Sequence, residues 1–308
     1  MKDASTRGIL LLGGAGFIGR ALCARLAEQG FDLHILTRRT VINDLNGCTV
    51  HSGGLENIEL LRRLLHKAGT VVHLASATTP GLSASTPSLE ANLNITATLG
   101  LLEELRAHPH TRLIYISSGG TVYGDPGKGM ASESSELKPL SYYGAGKVAA
   151  EAFLRCFEER NGNPVVILRP SNVYGPGQPR YQGFGVIRTM LQHAFDGSTM
   201  TIWGDGSIVR DFIYIDDFTA ALECFLTRSS PIGTYNIGAG IGYSLNELIA
   251  IIETVSGRSL NIRHEAARSF DVQSIVLDTH AIRLRCDWTP TTPLEAGVTN
   301  TWNWLCRQ

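Results

Sequence analysis

Gly8-Ile9-Leu10-Leu11-Leu12-Gly13-Gly14-Ala15-Gly16-Phe17-Ile18-Gly19 is the stretch that decides the fold. Its first part is a short uninterrupted apolar run, the composition of a parallel strand buried on both faces. Glycines then crowd a single turn, and Ile18, Leu22 and Leu26 recur at helical spacing until Gly30 ends the segment. Between a strand and a helix, such glycines permit a tight turn, let backbone approach a pyrophosphate and let the helix pack on the strand. The helix N-terminus then faces the phosphates. The stretch therefore predicts dinucleotide binding.

The pattern repeats outward from this unit. Strand-like runs follow at Leu33-His34-Ile35-Leu36, Val71-Val72-His73-Leu74-Ala75, Leu113-Ile114-Tyr115-Ile116 and Val165-Val166-Ile167-Leu168, with helical patterns near residues 57–67, 88–107 and 143–160 between them. Strand and helix in alternation predict an α/β fold, a doubly wound parallel sheet of Rossmann type. After Pro170 prolines and glycines cluster and the strands shorten. The expected organisation is a dinucleotide-binding domain over residues 1–170, to which a segment near 212–237 returns. Residues 171–308 would form mainly a smaller substrate-binding lobe at the carboxyl edge of the sheet.

The chain has 308 residues, with 27 Lys and Arg against 28 Asp and Glu, and a formal net charge of -1. Nothing in that balance draws it toward nucleic acid or an acidic membrane. A mean hydropathy of +0.02, with no apolar run near the roughly 20 residues that cross a bilayer, excludes a membrane-spanning reading. The N-terminus lacks the build of a secretory signal, so the expected compartment is the cytoplasm. Six scattered cysteines without a C-x-x-C pair read as free thiols, and nine dispersed histidines suggest no metal site.

Two features carry chemistry. The end of the second strand reads Leu36-Thr37-Arg38-Arg39, without the acid that would grip a ribose 2′-hydroxyl. Guanidinium groups there suit a 2′-phosphate or stack on adenine, which leaves NAD and NADP both open. Tyr143 and Lys147 stand four residues apart, on one face of a helix. A phenol is a poor base near neutrality, and an adjacent ammonium stabilises the phenolate.

With these residues in place the chain resembles an extended short-chain dehydrogenase/reductase of the nucleotide-sugar epimerase/dehydratase family, in particular its UDP-hexose 4-epimerase branch. The likeness spans nearly the whole chain. It rests on the glycine turn, Asn92, Ser117-Ser118-Gly119-Gly120-Thr121-Val122-Tyr123-Gly124, Tyr143 with Lys147, and Arg169-Pro170-Ser171-Asn172-Val173-Tyr174-Gly175-Pro176. It continues through Trp203-Gly204-Asp205-Gly206, Arg210-Asp211-Phe212, and Arg268 with Asp271. The resemblance implies that Tyr143 is the acid and base, that Lys147 holds the nicotinamide ribose, and that a hydroxyl bonds the reacting sugar oxygen. It places the cofactor, NAD or NADP, against Gly13, Gly16, Phe17, Ile18, Gly19, Arg38, Leu74, Ala75, Ser76, Asn92, Tyr143, Lys147 and Pro170. By the same resemblance Asn172, Arg210, Arg268 and Asp271 hold the nucleotide diphosphate, with Ile202 and Trp203 beside the base.

The sequence departs from that pattern in three places. The usual hydroxyl position falls on Gly119, so the role passes to Ser118 or Thr121, of which Ser118 is preferred. The acid after the second strand is missing, and Gly53-Gly54 replaces the Gly-Asp pair expected after the third. The Asp-Glu pair that the resemblance associates with dehydratases is Gly120-Thr121 here. What remains is reversible oxidation at one sugar carbon. 4-Epimerisation of a UDP-hexose is the first reading, an NADPH-dependent 4-ketosugar reductase the second, and a non-catalytic nucleotide-binding protein the third. Apolar positions on segments 88–107 and 143–160, Leu89, Leu93, Leu101, Leu102, Leu105, Ala149, Phe153 and Phe157, exceed what one sheet face requires. In the family these helices pair with those of a second copy, which implies a homodimer.

Overall fold

In the computed structural model β1 runs Gly8–Leu12 with every residue buried, and α1, Phe17–Ala27, follows the glycine turn. The structure describes residues 8–38, 45–84, 86–127, 129–180, 185–227, 229–267 and 272–308. After α1 come β2 (Leu33–Thr37), β3 (Cys48–Ser52), α2 (Ile58–Leu65), β4 (Ala68–His73), α3 (Pro80–Ser83) and α4 (Pro87–Glu90). A π-helical turn, Ala91–Ile95, leads into α5 (Thr96–Leu105), then β5 (Arg112–Ile116), α6 (Gly119–Val122), α7 (Tyr142–Asn161) and β6 (Val165–Pro170). The chain continues through β7 (Asn172–Tyr174), α8 (Val186–Asp196), β8 (Met200–Trp203), β9 (Val209–Tyr214), α9 (Ile215–Glu223) and β10 (Gly233–Ile237). It ends with β11 (Gly242–Ser244), α10 (Leu245–Ser256), β12 (Ile262–Glu265), β13 (Ser274–Ile275), α11 (His280–Cys286) and α12 (Leu294–Leu305).

The main sheet has seven strands in the order β10-β6-β5-β4-β1-β2-β3, and every pairing is parallel. Chain order reverses between β1 and β4, and a crevice opens outside the carboxyl ends of strands at such a switch point. One face packs Leu11, Leu22, Ile35, Ile114 and Phe218 into a core. The other packs Leu10, Leu61, Val71, Leu101, Leu154 and Ile167. A third core, with Met190, Phe212, Leu248 and Val298, belongs to the C-terminal elements.

One sheet strand, β3, leaves no clear mark in the sequence, whereas β10 lies within the segment near 212–237 expected to return to the sheet. β3 has no fully buried residue, so it lacks an apolar run, and β10 joins β6 after the excursion through β7, α8, β8, β9 and α9. The helical pattern near 88–107 is interrupted by the π turn. Such a turn adds a residue and rotates the helix face that follows it.

A buried polar network binds α7 to the sheet. Glu151 accepts a hydrogen bond from the Ser117 hydroxyl and pairs with Arg169, Nη2 to Oε2 at 2.5 Å, both side chains under a tenth exposed. Arg169 Nη1 donates to the Tyr123 hydroxyl at 2.9 Å, which in turn donates to Asn236 Oδ1 at 2.6 Å. A buried ion pair stripped of one partner leaves an uncompensated charge. Arg169→Met is expected to lower the unfolding free energy by about 3–5 kcal/mol, read from the midpoint of a urea melt.

Candidate active site

The glycine turn is packed to its steric limit. Gly13 has φ +85°, and a Cβ there would lie 2.8 Å from the Ala75 nitrogen. A Cβ on Gly19 would lie 2.5 Å from Gly14 Cα, so this helix touches the turn only through glycine. Gly16 caps α1 without any side-chain bond to the first-turn N–H groups, which leaves those donors for a ligand. Phe17 and Ile18 open the helix, and Leu74, Ala75 and Ser76 leave β4 beside it, Leu74 N donating to Leu12 O at 2.9 Å. These residues fit a dinucleotide pyrophosphate.

Arg38 is exposed at the end of β2, and Arg39 lies outside the described residues. The Gly53-Gly54 pair lies beside Glu56. A side chain on Gly54 would begin within 2.3 Å of both Glu56 carboxylate oxygens, so Glu56 covers that glycine.

Helix α7 brings the second set of groups to the same end of the sheet. Ser141 caps it, accepting from Gly144 N at 3.1 Å, so Tyr143 and Lys147 lie one turn apart near its start. The Lys147 ammonium is buried, donates to Ile116 O at 2.9 Å, and sits 4.8 Å and 5.6 Å from the Tyr115 and Tyr143 ring centres. Burial lowers its pKa to about 8, and the Glu90 and Glu151 carboxylates work against that fall. The Tyr143 hydroxyl bonds the Ser76 side chain; burial and then Glu90 push its pKa above the ordinary phenol range, with the Ser76 bond opposing.

Ser118, Gly119 and Thr121 bear on the hydroxyl role. Ser118 caps α6 with no side-chain bond to the helix, and no hydrogen bond to its hydroxyl is recorded among the described residues. Thr121 Oγ1 is turned back onto Ser118 O at 3.4 Å. A side chain on Gly119 would meet Leu277 Cδ1 at 2.5 Å and Arg169 O at 2.9 Å, so Leu277 occupies that space.

Toward the lobe, Pro170 ends β6, and Asn172 on β7 donates from Nδ2 to Asp211 O at 2.8 Å. Arg210 is half-buried on β9, with Nη1 donating to Val209 O at 2.8 Å. Asp211 is no partner of its guanidinium: it accepts from the amides of Ala239, Gly240 and Leu277. Ile202 is 2% exposed and belongs to the lobe core, whereas Trp203 is 41% exposed. Arg268 and Asp271 lie outside the described residues.

Asn92 is exposed in the π turn, and Asn94, two residues on, is half-buried. Asn94 Oδ1 accepts from Ala77 N at 2.8 Å, and Nδ2 donates to Thr78 Oγ1 at 2.7 Å and Glu90 Oε1 at 2.8 Å. A π turn has no clear compositional signature, and the sequence reading does not single out Asn94.

A Rossmann sheet whose switch point carries a glycine cradle and whose α7 carries a tyrosine–lysine pair defines a nicotinamide-dependent enzyme of the short-chain dehydrogenase/reductase class. Within that class the chain belongs to the NAD dependent epimerase/dehydratase family, whose model matches residues 9–238. It is 30% identical to the UDP-glucose 4-epimerase of Mycolicibacterium smegmatis, over 95% of this chain and 96% of that protein. It is equally, 30%, identical to the dTDP-4-dehydro-6-deoxyglucose reductase of Escherichia coli, over 96% of each. The crystal structure of Thermus thermophilus UDP-glucose 4-epimerase in complex with NAD superposes with a TM-score of 0.90 at 27% identity, covering 97% of this chain and 98% of that one. The cofactor is NAD.

Lys147 is protonated below about 8 and neutral above it. Turnover is therefore expected to decline as the pH rises through about 8, which a pH–rate profile of the cofactor-loaded enzyme measures.

Proposed function

We propose that the chain catalyses NAD-dependent 4-epimerisation of a UDP-hexose, through a transient 4-keto sugar. The observation that carries this reading is the Tyr143–Lys147 pair at the mouth of the dinucleotide cradle, with Gly120 and Thr121 where an eliminating enzyme needs a further acid and base. Bound NAD supplies the acceptor and donor of hydride at the sugar carbon. Tyr143 takes the proton of the 4-hydroxyl and later returns one. Lys147, fixed on Ile116 O, holds positive charge beside the phenol and lowers the cost of its ionised form. Ser118 is the hydroxyl proposed to bond the sugar oxygen, and Asn172, Trp203 and Arg210 are proposed to hold the nucleotide while the sugar turns. Such turning demands that binding energy come from the nucleotide and not the hexose.

A 4-ketosugar reductase using NADPH is the second reading. It is supported by Arg38 in place of an acid after β2, and by the likeness to the Escherichia coli reductase. Products separate the two: an epimerase returns its hydride and a reductase spends it. Incubation with UDP-glucose or UDP-galactose, without added cofactor, is expected to give both sugars with no steady change in reduced-nicotinamide absorbance. Tyr143→Phe is expected to slow this about 10²–10⁴-fold. Stoichiometric NADPH oxidation by a 4-keto sugar, with no interconversion, would overturn the epimerase reading.

The assembly proposed is a homodimer in the cytoplasm. Leu101, Leu102, Leu105 and Phe157 are buried against the sheet, whereas Leu89, Leu93 and Phe153 remain exposed on α4, the π turn and α7. These three would be covered by the same helices of a second copy. Light scattering at micromolar concentration is expected to give a dimer mass, and Phe153→Lys a monomer.

A further inference from the structure

Glu90 is a buried carboxylate that the reaction scheme does not use. It is 2% exposed at the end of α4, immediately before the π turn. Its Oε2 accepts from Thr78 Oγ1 at 2.5 Å and its Oε1 from Asn94 Nδ2 at 2.8 Å, so both oxygens are held. It lies flat against α7: a Cβ on Gly146 would fall 2.3 Å from Glu90 Cγ and 2.7 Å from Oε1. Gly146 sits between Tyr143 and Lys147 in sequence, and only the absence of its side chain admits the carboxylate. Elements α4, the π turn and α7 thus close around one acid at the level of the tyrosine–lysine pair.

We propose that Glu90 is a positioning residue for the acid/base pair, fixing the proton on Tyr143 and the charge on Lys147 between turnovers. The charge arrangement supports this assignment. Glu151 on α7 and His73 on β4, beside Lys147, and Tyr115 on β5, beside Tyr143, are the other titratable groups around the pair. Glu151 is already committed to Arg169 and Ser117. His73 is buried and its pKa lowered to about 3, first by burial and then by the Lys147 charge, so it is neutral at working pH. Tyr115 is pushed well above the phenol range. Glu90 is therefore the negative group of this set that two neutral donors hold against α7. It opposes phenolate on Tyr143 and supports ammonium on Lys147. The phenol then stays protonated until the sugar enters, and a stray ionised base does not form between turnovers.

The proposal rests on Tyr143 being the acid/base, and its test reads the proton directly. The signal is the part of the ultraviolet tyrosinate titration that Tyr143→Phe removes. In Glu90→Gln, an isosteric change, that midpoint is expected to fall to lower pH, and the basic limb of the pH–rate profile, set by Lys147, to fall as well because the ammonium loses the same carboxylate. Glu90→Asp keeps the charge and is expected to leave the midpoint near that of the unaltered protein. A Gly146→Ala protein, in which the new methyl displaces the carboxylate, is expected to behave like Glu90→Gln and serves where Glu90→Gln does not fold. An unchanged Tyr143 midpoint in folded Glu90→Gln or Gly146→Ala would overturn the proposal, as would a uniform loss of turnover at every pH without displacement of the limb. The titration needs no substrate, so failure of the epimerase reading leaves its outcome intact.

Discussion

The ion pair between Glu151 and Arg169 is the constraint on which the site depends. Glu151 lies one turn after Lys147 on α7, and Arg169 lies on β6 immediately before Pro170. Their bond ties the helix that carries the acid/base to the strand from which the chain leaves for the lobe. A buried charge pair of this kind is weak evidence of net stability, because desolvation consumes much of the Coulombic gain. Its value here is geometric. Ser117 on one side, and Tyr123 with Asn236 on the other, use the remaining hydrogen-bonding capacity, so α7 has one satisfied seat against the sheet.

Around that seat, missing side chains are paired with side chains from elsewhere. Gly119 makes room for Leu277, Gly146 for Glu90, Gly54 for Glu56, and Gly238 for Asp211, whose Oδ2 lies 2.5 Å from where a Cβ would be. Each pair joins two segments that are separate in the fold or in the loop. Each also moves a chemical group to a place where a motif reading finds a glycine. Two outcomes differ in kind: at Gly119 the incoming group is aliphatic and removes polarity, whereas at Gly146 and Gly54 it is a carboxylate and adds it.

The lobe is anchored by the same economy of groups. Asp211 collects the amides of Ala239, Gly240 and Leu277, and so fastens β9 to the turn after β10 and to the residues after β13. Burial raises its pKa to about 6, the backbone bonds acting in the other direction. The folded carboxyl thus holds its proton more tightly than an unfolded one, and what it contributes to stability is present below the ordinary carboxylate range and lost as the pH rises through about 6.

The sequence by itself determined the sheet and its cofactor end. Continuous apolar runs such as Gly8–Leu12 and Val165–Leu168 are forced by burial on both faces, and Gly13 and Gly19 stand where backbone meets backbone, Gly14 against the Ile35 side chain, with no room for a Cβ. The Tyr143–Lys147 spacing is a local property of a helix and was equally legible. Tertiary structure alone decided the rest. β3 pairs with β2 and shows no apolar run of its own. A π turn at Ala91–Ile95 interrupts the helical pattern and sets Asn94, not a neighbour of it, onto Ala77, Thr78 and Glu90. Which groups stand beside Tyr143 was likewise settled by contacts between distant segments, since a carboxylate at Glu90 acquires meaning only once Gly146 has let it in.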